Sequence, residues 1–113
     1  MYILNESERE YRGGDSGPKY LMKGPRMNFA VIRFKAGESI TNHYHAVMEE
    51  NFFVLSGEID IIVNGVTTRL KKGDFAHIEP GESHRFINNS GDEVMMTAAL
   101  APYMESDKYS AED

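Results

Sequence analysis

The side chains best equipped for chemistry are the histidines His43, His45, His77 and His84, together with a carboxylate, Glu50, that closely follows the first two. His43 and His45 are separated by one residue. On a strand, residues i and i+2 point to one face, roughly 7 Å apart along the backbone, so two imidazoles placed in this way can converge on one ion. Glu50 lies five residues beyond His45 and opens the segment ENFFVLSG. His84 begins another strand-like segment just after the turn Pro80-Gly81. An isolated H-x-H pair also arises as a solvated loop pair, so its meaning depends on its surroundings.

Composition narrows the chemistry. The chain has no cysteine, which excludes disulfides, a thiolate nucleophile and any Cys-based zinc or iron–sulfur site. Any metal must then be held by histidine and carboxylate. The net charge of −6 argues against nucleic acid and anionic membranes as partners, because both need a basic surface. No apolar run approaches the length of a membrane span. The N-terminus, MYILNESEREYR, lacks the basic start and apolar core of an export signal, so a cytoplasmic location is expected. A length of 113 residues suits one domain.

The elements that must position these residues are short. Turn signals recur throughout, among them Gly24-Pro25, Gly37, Gly57, Asn64-Gly65, Gly73, Pro80-Gly81 and Asn89-Ser90-Gly91. Such spacing predicts an all-β sandwich or barrel. Strands are expected over 26–34, 51–55, 59–63, 66–70, 74–78, 84–88 and 93–100. Asn64-Gly65 predicts a tight hairpin of type I′. Phe52, Phe53, Val54 and Leu55 are apolar on both faces of their strand, which predicts cover on both sides, from a second subunit or a terminal segment. Residues 5–18 read as a loop or lead-in, and residues 103–113 as a mobile or weakly helical acidic tail.

In this setting the histidines fall into a recognisable pattern. Gly37, five residues, His43-Tyr44-His45, four residues, Glu50, six residues and Gly57 reproduce the first cupin motif at every fixed position. Gly73, Gly81, His84 and Asn88 follow the spacing of the second, with Glu79 where the motif has proline and Pro80 beside it. The sequence therefore resembles a small single-domain cupin over nearly its whole length. The resemblance implies a double-stranded β-helix, or jelly-roll β-barrel, forming one cupin domain over 1–113. Its parts would be a lead-in over 1–25, a barrel over 26–102 and an acidic tail over 103–113. It also implies one divalent metal, held by His43, His45, Glu50 and His84. Such a donor set suits manganese, iron, nickel, zinc or copper. Four protein ligands on an octahedral ion leave two positions for water, substrate or dioxygen. One carboxylate against a doubly charged ion leaves a net positive site that would attract an anionic or enolisable ligand.

Glu49 also fits the motif's spacing from His45, but only Glu50 lies six residues before Gly57. Strand parity groups Glu50 with Phe52 and Val54, and Glu49 with Phe53. Tyr44 is expected to point away from the metal, His77 to be a partly exposed strand residue, and Asn88 to be a hydrogen-bonder near a turn. Met27, Phe29, Phe52, Phe86, Met95 and Met96 are candidates for an apolar cavity wall. Arg33 and Arg85 are expected at the surface, with pairing to a substrate carboxylate as the alternative. A general base would come from Glu49, Tyr44, His77, Tyr103 or metal-bound hydroxide, and no catalytic residue is singled out. The resemblance implies an enzyme of dioxygenase, decarboxylase or sugar-acid isomerase type on a small organic molecule. A non-catalytic protein binding a metal or small ligand is the alternative. Small cupins often pair, so a homodimer is expected.

Overall fold

The computed structural model describes residues 1–112; Asp113, the last residue of the expected tail, lies outside them. The chain opens with a single 3-10 turn, Glu6–Glu8, capped by Asn5. The strands follow as β1 (Gly17–Lys23), β2 (Asn28–Phe34), β3 (His43–Tyr44), β4 (Glu49–Ser56), β5 (Glu58–Val63), β6 (Val66–Lys71), β7 (Phe75–Ile78), β8 (His84–Ile87), β9 (Val94–Ala101) and β10 (Tyr109–Ser110). They form two antiparallel five-stranded sheets, ordered β1-β2-β9-β4-β7 and β10-β3-β8-β5-β6. The inner faces enclose one apolar core, in which Val54, Ile59, Phe86, Val94 and Met96 are at most 1% exposed. Burying side chains of this size contributes about 1.5–3 kcal/mol each.

Local chemistry explains the turns. Val63 pairs with Val66, and between them Asn64 (φ 48°) and Gly65 (φ 81°) both take positive φ, as a type I′ hairpin requires. Gly57 turns β4 into β5 at φ 81°, where an added Cβ would sit 2.5 Å from the Glu93 carbonyl oxygen. No other residue fits both constraints.

Two expectations need correction, and a third is narrowed. The acidic C-terminal segment is neither mobile nor helical. Its Tyr109 and Ser110 pair with Tyr44 and His43 as β10, and Tyr109 stacks on Tyr44 at 5.3 Å. β2 begins at Asn28, and it turns Asn28, Ala30, Ile32 and Phe34 toward the cavity rather than the expected Met27 and Phe29. The strand through Phe52–Leu55 is covered on one face only. Phe52 and Val54 are buried, but Phe53 and Leu55 remain 41% and 42% exposed, and Phe53 pairs with the exposed Phe75. Among the described residues no terminal segment covers them, which leaves a second subunit as the expected cover.

Asn88 has the structural role expected of it. It is fully buried, and its amide donates to the carbonyls of Phe34, Lys35 and Asp92 at 3.2, 3.1 and 2.7 Å. Its own oxygen accepts from the Ser90 hydroxyl at 2.7 Å. It thus clasps the end of β2 to the loop before β9. Asn88→Ala would leave buried carbonyls without donors, and we expect a loss of about 2–3 kcal/mol in urea unfolding with metal content unchanged.

Candidate metal centre

The site is built from both sheets. β3 and β8 are antiparallel neighbours, and their register sets His43 directly opposite His84. The chain leaves β3 after Tyr44, and His45 returns to the same face as His43. Glu50 comes from the other sheet, on β4 between Leu100 and Ile78. All four side chains are buried, and one potential ligand atom from each lies within 4.8 Å of the others.

The backbone determines which nitrogen each histidine presents. His43 Nδ1 donates to the Thr41 carbonyl at 2.9 Å, and His84 Nδ1 to the Glu82 carbonyl at 3.0 Å. His45 Nδ1 donates to the Asp107 carbonyl. Carbonyls only accept, so each Nδ1 must carry the proton and each neutral ring has a bare Nε2. Carbonyl partners of this kind orient metal-binding imidazoles.

Glu50 Oε1 lies 2.8 Å from His45 Nε2 and 2.7 Å from His84 Nε2. A carboxylate oxygen and a bare nitrogen both offer lone pairs. These contacts therefore need protons on the rings or a cation among the ligands. The donor set fits one divalent ion, which satisfies the lone pairs together. Burial disfavours charge on Glu50, but the His45 and His84 contacts outweigh it and hold its pKa at about 2. Burial dominates at His43 and lowers its pKa to about 4, which keeps the ring neutral and available near pH 7. At His45 burial is outweighed by Glu50 and the Asp107 carbonyl, and the pKa rises.

The matching family model is that of a cupin domain, and it covers residues 30–100. The chain belongs to the cupin family. The matched stretch runs from β2 to β9 and contains all four residues of the cluster. A Klebsiella pneumoniae protein with a double-stranded β-helix domain superposes with a TM-score of 0.83, at 25% identity, over 100% of this chain and 99% of its own. The polyketide synthase CurC of Streptomyces cyaneus is 33% identical over 76 residues, 67% of this cupin and 48% of the relative. Quercetin 2,3-dioxygenase of Bacillus subtilis is 32% identical over 66 residues, 58% of this cupin and 19% of the relative. This cupin thus spans about half the length of CurC and about a fifth of the dioxygenase.

The cluster opens into a cavity of about 330 Å³. Phe52 and Phe86 line it, as do Ala30, Ile32, Phe34, Ala98 and Leu100. Met27, Phe29 and Met95 do not, and Met96 lies in the core. On β2 the cavity is lined instead by Asn28, Ala30, Ile32 and Phe34. Glu49 projects to the outer face, where it accepts from Asn51 at 2.9 Å. His77 is exposed on the same face, held by Glu79 at 2.9 Å, which raises its pKa. Arg33 pairs with Glu93 at 2.6 Å on the surface, and Arg85 lies opposite Ile62 on the face of β8 away from His84. Of the residues weighed as a general base, only Tyr103 lines the cavity.

Asp107 was not foreseen from the sequence. It is buried, and its carboxylate accepts three successive backbone N–H groups, from Ala46, Val47 and Met48, at 2.8, 3.0 and 2.8 Å. Burial alone would raise its pKa, but these bonds outweigh burial and lower it. One residue thus shapes the 45–48 turn with its side chain and orients His45 with its carbonyl. Nothing in YMESDKYS distinguishes this aspartate from a solvated one. We expect Asp107→Ala to weaken metal binding about tenfold in a chelator competition, with Asp107→Asn intermediate because its oxygen still accepts. Unchanged affinity in both variants would show that the turn is held without it.

Proposed function

We propose that this cupin is a metal-dependent enzyme of dioxygenase type acting on a small organic molecule. The observation that carries this reading is a buried set of three imidazoles and one carboxylate at the floor of an apolar cavity. His43, His45, Glu50 and His84 would hold one divalent transition metal. A bound ion would supply Lewis-acid polarisation of an oxygen donor and a place for dioxygen. With Glu50 as the one carboxylate, that centre keeps a net positive charge and favours an anionic or enolisable ligand.

The chain's own residues bind, orient and keep water out. Phe34, Phe52 and Phe86 hold a flat body beside the cluster, and Ala30 and Ala98 leave room for it. The likeness to a quercetin dioxygenase supports the dioxygenase type.

Metal analysis of untagged protein tests the ligand set, and dioxygen uptake with quercetin and smaller hydroxylated aromatics tests the reaction. We expect close to one equivalent of metal per chain, and loss of both metal and uptake in His84→Ala. Less than about a tenth of an equivalent, with no uptake of added metal, would sink the assignment.

We also propose that a second copy of the chain covers Phe53, Leu55 and Phe75. Three large apolar side chains grouped on one outer face are the support. Light scattering should give twice the chain mass, and Phe53→Lys with Phe75→Lys should give a folded monomer. A monomer at high concentration in the unaltered chain contradicts the pairing.

A further inference from the structure

The cavity is lined in part by segments that contribute none of the metal ligands. Arg12, Tyr20 and Lys23 come from the lead-in and β1, and Tyr103, Glu105 and Lys108 from the C-terminal segment. Arg12, Lys23 and Lys108 are exposed and form the rim, whereas the metal ligands are buried and form the floor. Lys23 Nζ stands 4.8 Å from the centroid of the Tyr20 ring, and Arg12 Cζ stands 5.6 Å from it. One aromatic ring thus gathers two like charges at the mouth.

These cations lack counter-ions. Among the described residues, the ion pairs join Lys19 to Glu6, Arg33 to Glu93, Lys35 to Asp15 and Arg69 to Asp60, and none involves Arg12, Lys23 or Lys108. Asp107 also lines the cavity, but backbone N–H groups occupy its carboxylate. Glu105 is the one acidic side chain left at the rim to oppose three cations. The wall between rim and floor is apolar.

From this arrangement we propose that the substrate is a small organic oxyanion, a carboxylate or phosphate monoester. Its anionic group sits at the Arg12–Lys23–Lys108 rim, its apolar body lies against Phe34, Phe52 and Phe86, and an oxygen donor faces the floor. This deepens the metal-dependent reading above and rests on it. The rim binds one end of the molecule by charge, and the floor receives the other.

Calorimetric titration tests this with 3-phenylpropionate, phenyl phosphate and the uncharged 3-phenylpropanol. The full chain is used in metal-loaded and chelator-treated forms, because an ion at the floor also attracts anions. We expect at least one anion to bind about tenfold more tightly than the alcohol in both forms. The stronger of the two anions identifies the group the rim prefers. Arg12→Met with Lys23→Met keeps the apolar stems and should erase that margin, leaving metal content and alcohol affinity unchanged. Arg12→Lys with Lys23→Arg should preserve it. Equal binding of all three compounds, binding of none, a margin that vanishes with the metal, or a margin that survives in the methionine variant would each overturn the proposal. Metal content measured in parallel separates the two readings. A chain that holds no metal yet keeps the margin contradicts the metal reading alone.

Discussion

A carboxylate oxygen held against two imidazole nitrogens, all out of water, is the interaction that the rest of the structure must accommodate. Glu50 and its histidine neighbours come from opposite sheets, so the sheets can approach only where lone pairs are neutralised. Leaving such charges uncompensated in a buried site costs several kcal/mol. The backbone reduces the ambiguity by committing each Nδ1 proton to a carbonyl. Every histidine in the cluster then presents the same nitrogen inward, and the site has one electrostatic solution rather than several.

The same region must stay hollow beside a close-packed core. The outcome is decided residue by residue along β2 and β9. Ala30 pairs with Ala98, and Asn28 with Leu100, on the inward face. Small side chains at adjacent positions on neighbouring strands remove volume from the wall without removing the strands. Further along the same two strands, Phe34 lines the cavity and pairs with Val94, which is fully buried in the core. The cavity is therefore an end of the sandwich left unfilled.

The His43–His45–Glu50–His84 cluster was legible because its spacing matches the two cupin motifs. His43 and His45 share a face by period, and Glu50 rather than Glu49 follows from parity with Phe52 and Val54. The Asn64-Gly65 hairpin was legible because few residue pairs tolerate positive φ twice. What failed did so for related reasons. Hydrophobicity alone marked Met27 and Phe29 as cavity wall, but it does not say which face of β2 turns inward, and Asn28, Ala30, Ile32 and Phe34 do. The C-terminal segment looked solvated because its charges suggested water. Asp107 instead finds backbone N–H groups, and a sequence does not show which amides a fold leaves unpaired. Arg12 and Lys23 are likewise separated in sequence, and only the fold brings both beside the Tyr20 ring at the cavity.

The bond from His45 to Asp107 joins positions 62 residues apart. During synthesis, the histidine pair and Glu50 emerge long before the carbonyl that orients one of them. The centre is thus completed late and by a distant segment, after most of the sheet ladder can already form. Contacts of such separation are slow to establish. A chain that stops short of residue 107 carries all four residues of the cluster yet lacks the carbonyl that holds His45 Nδ1.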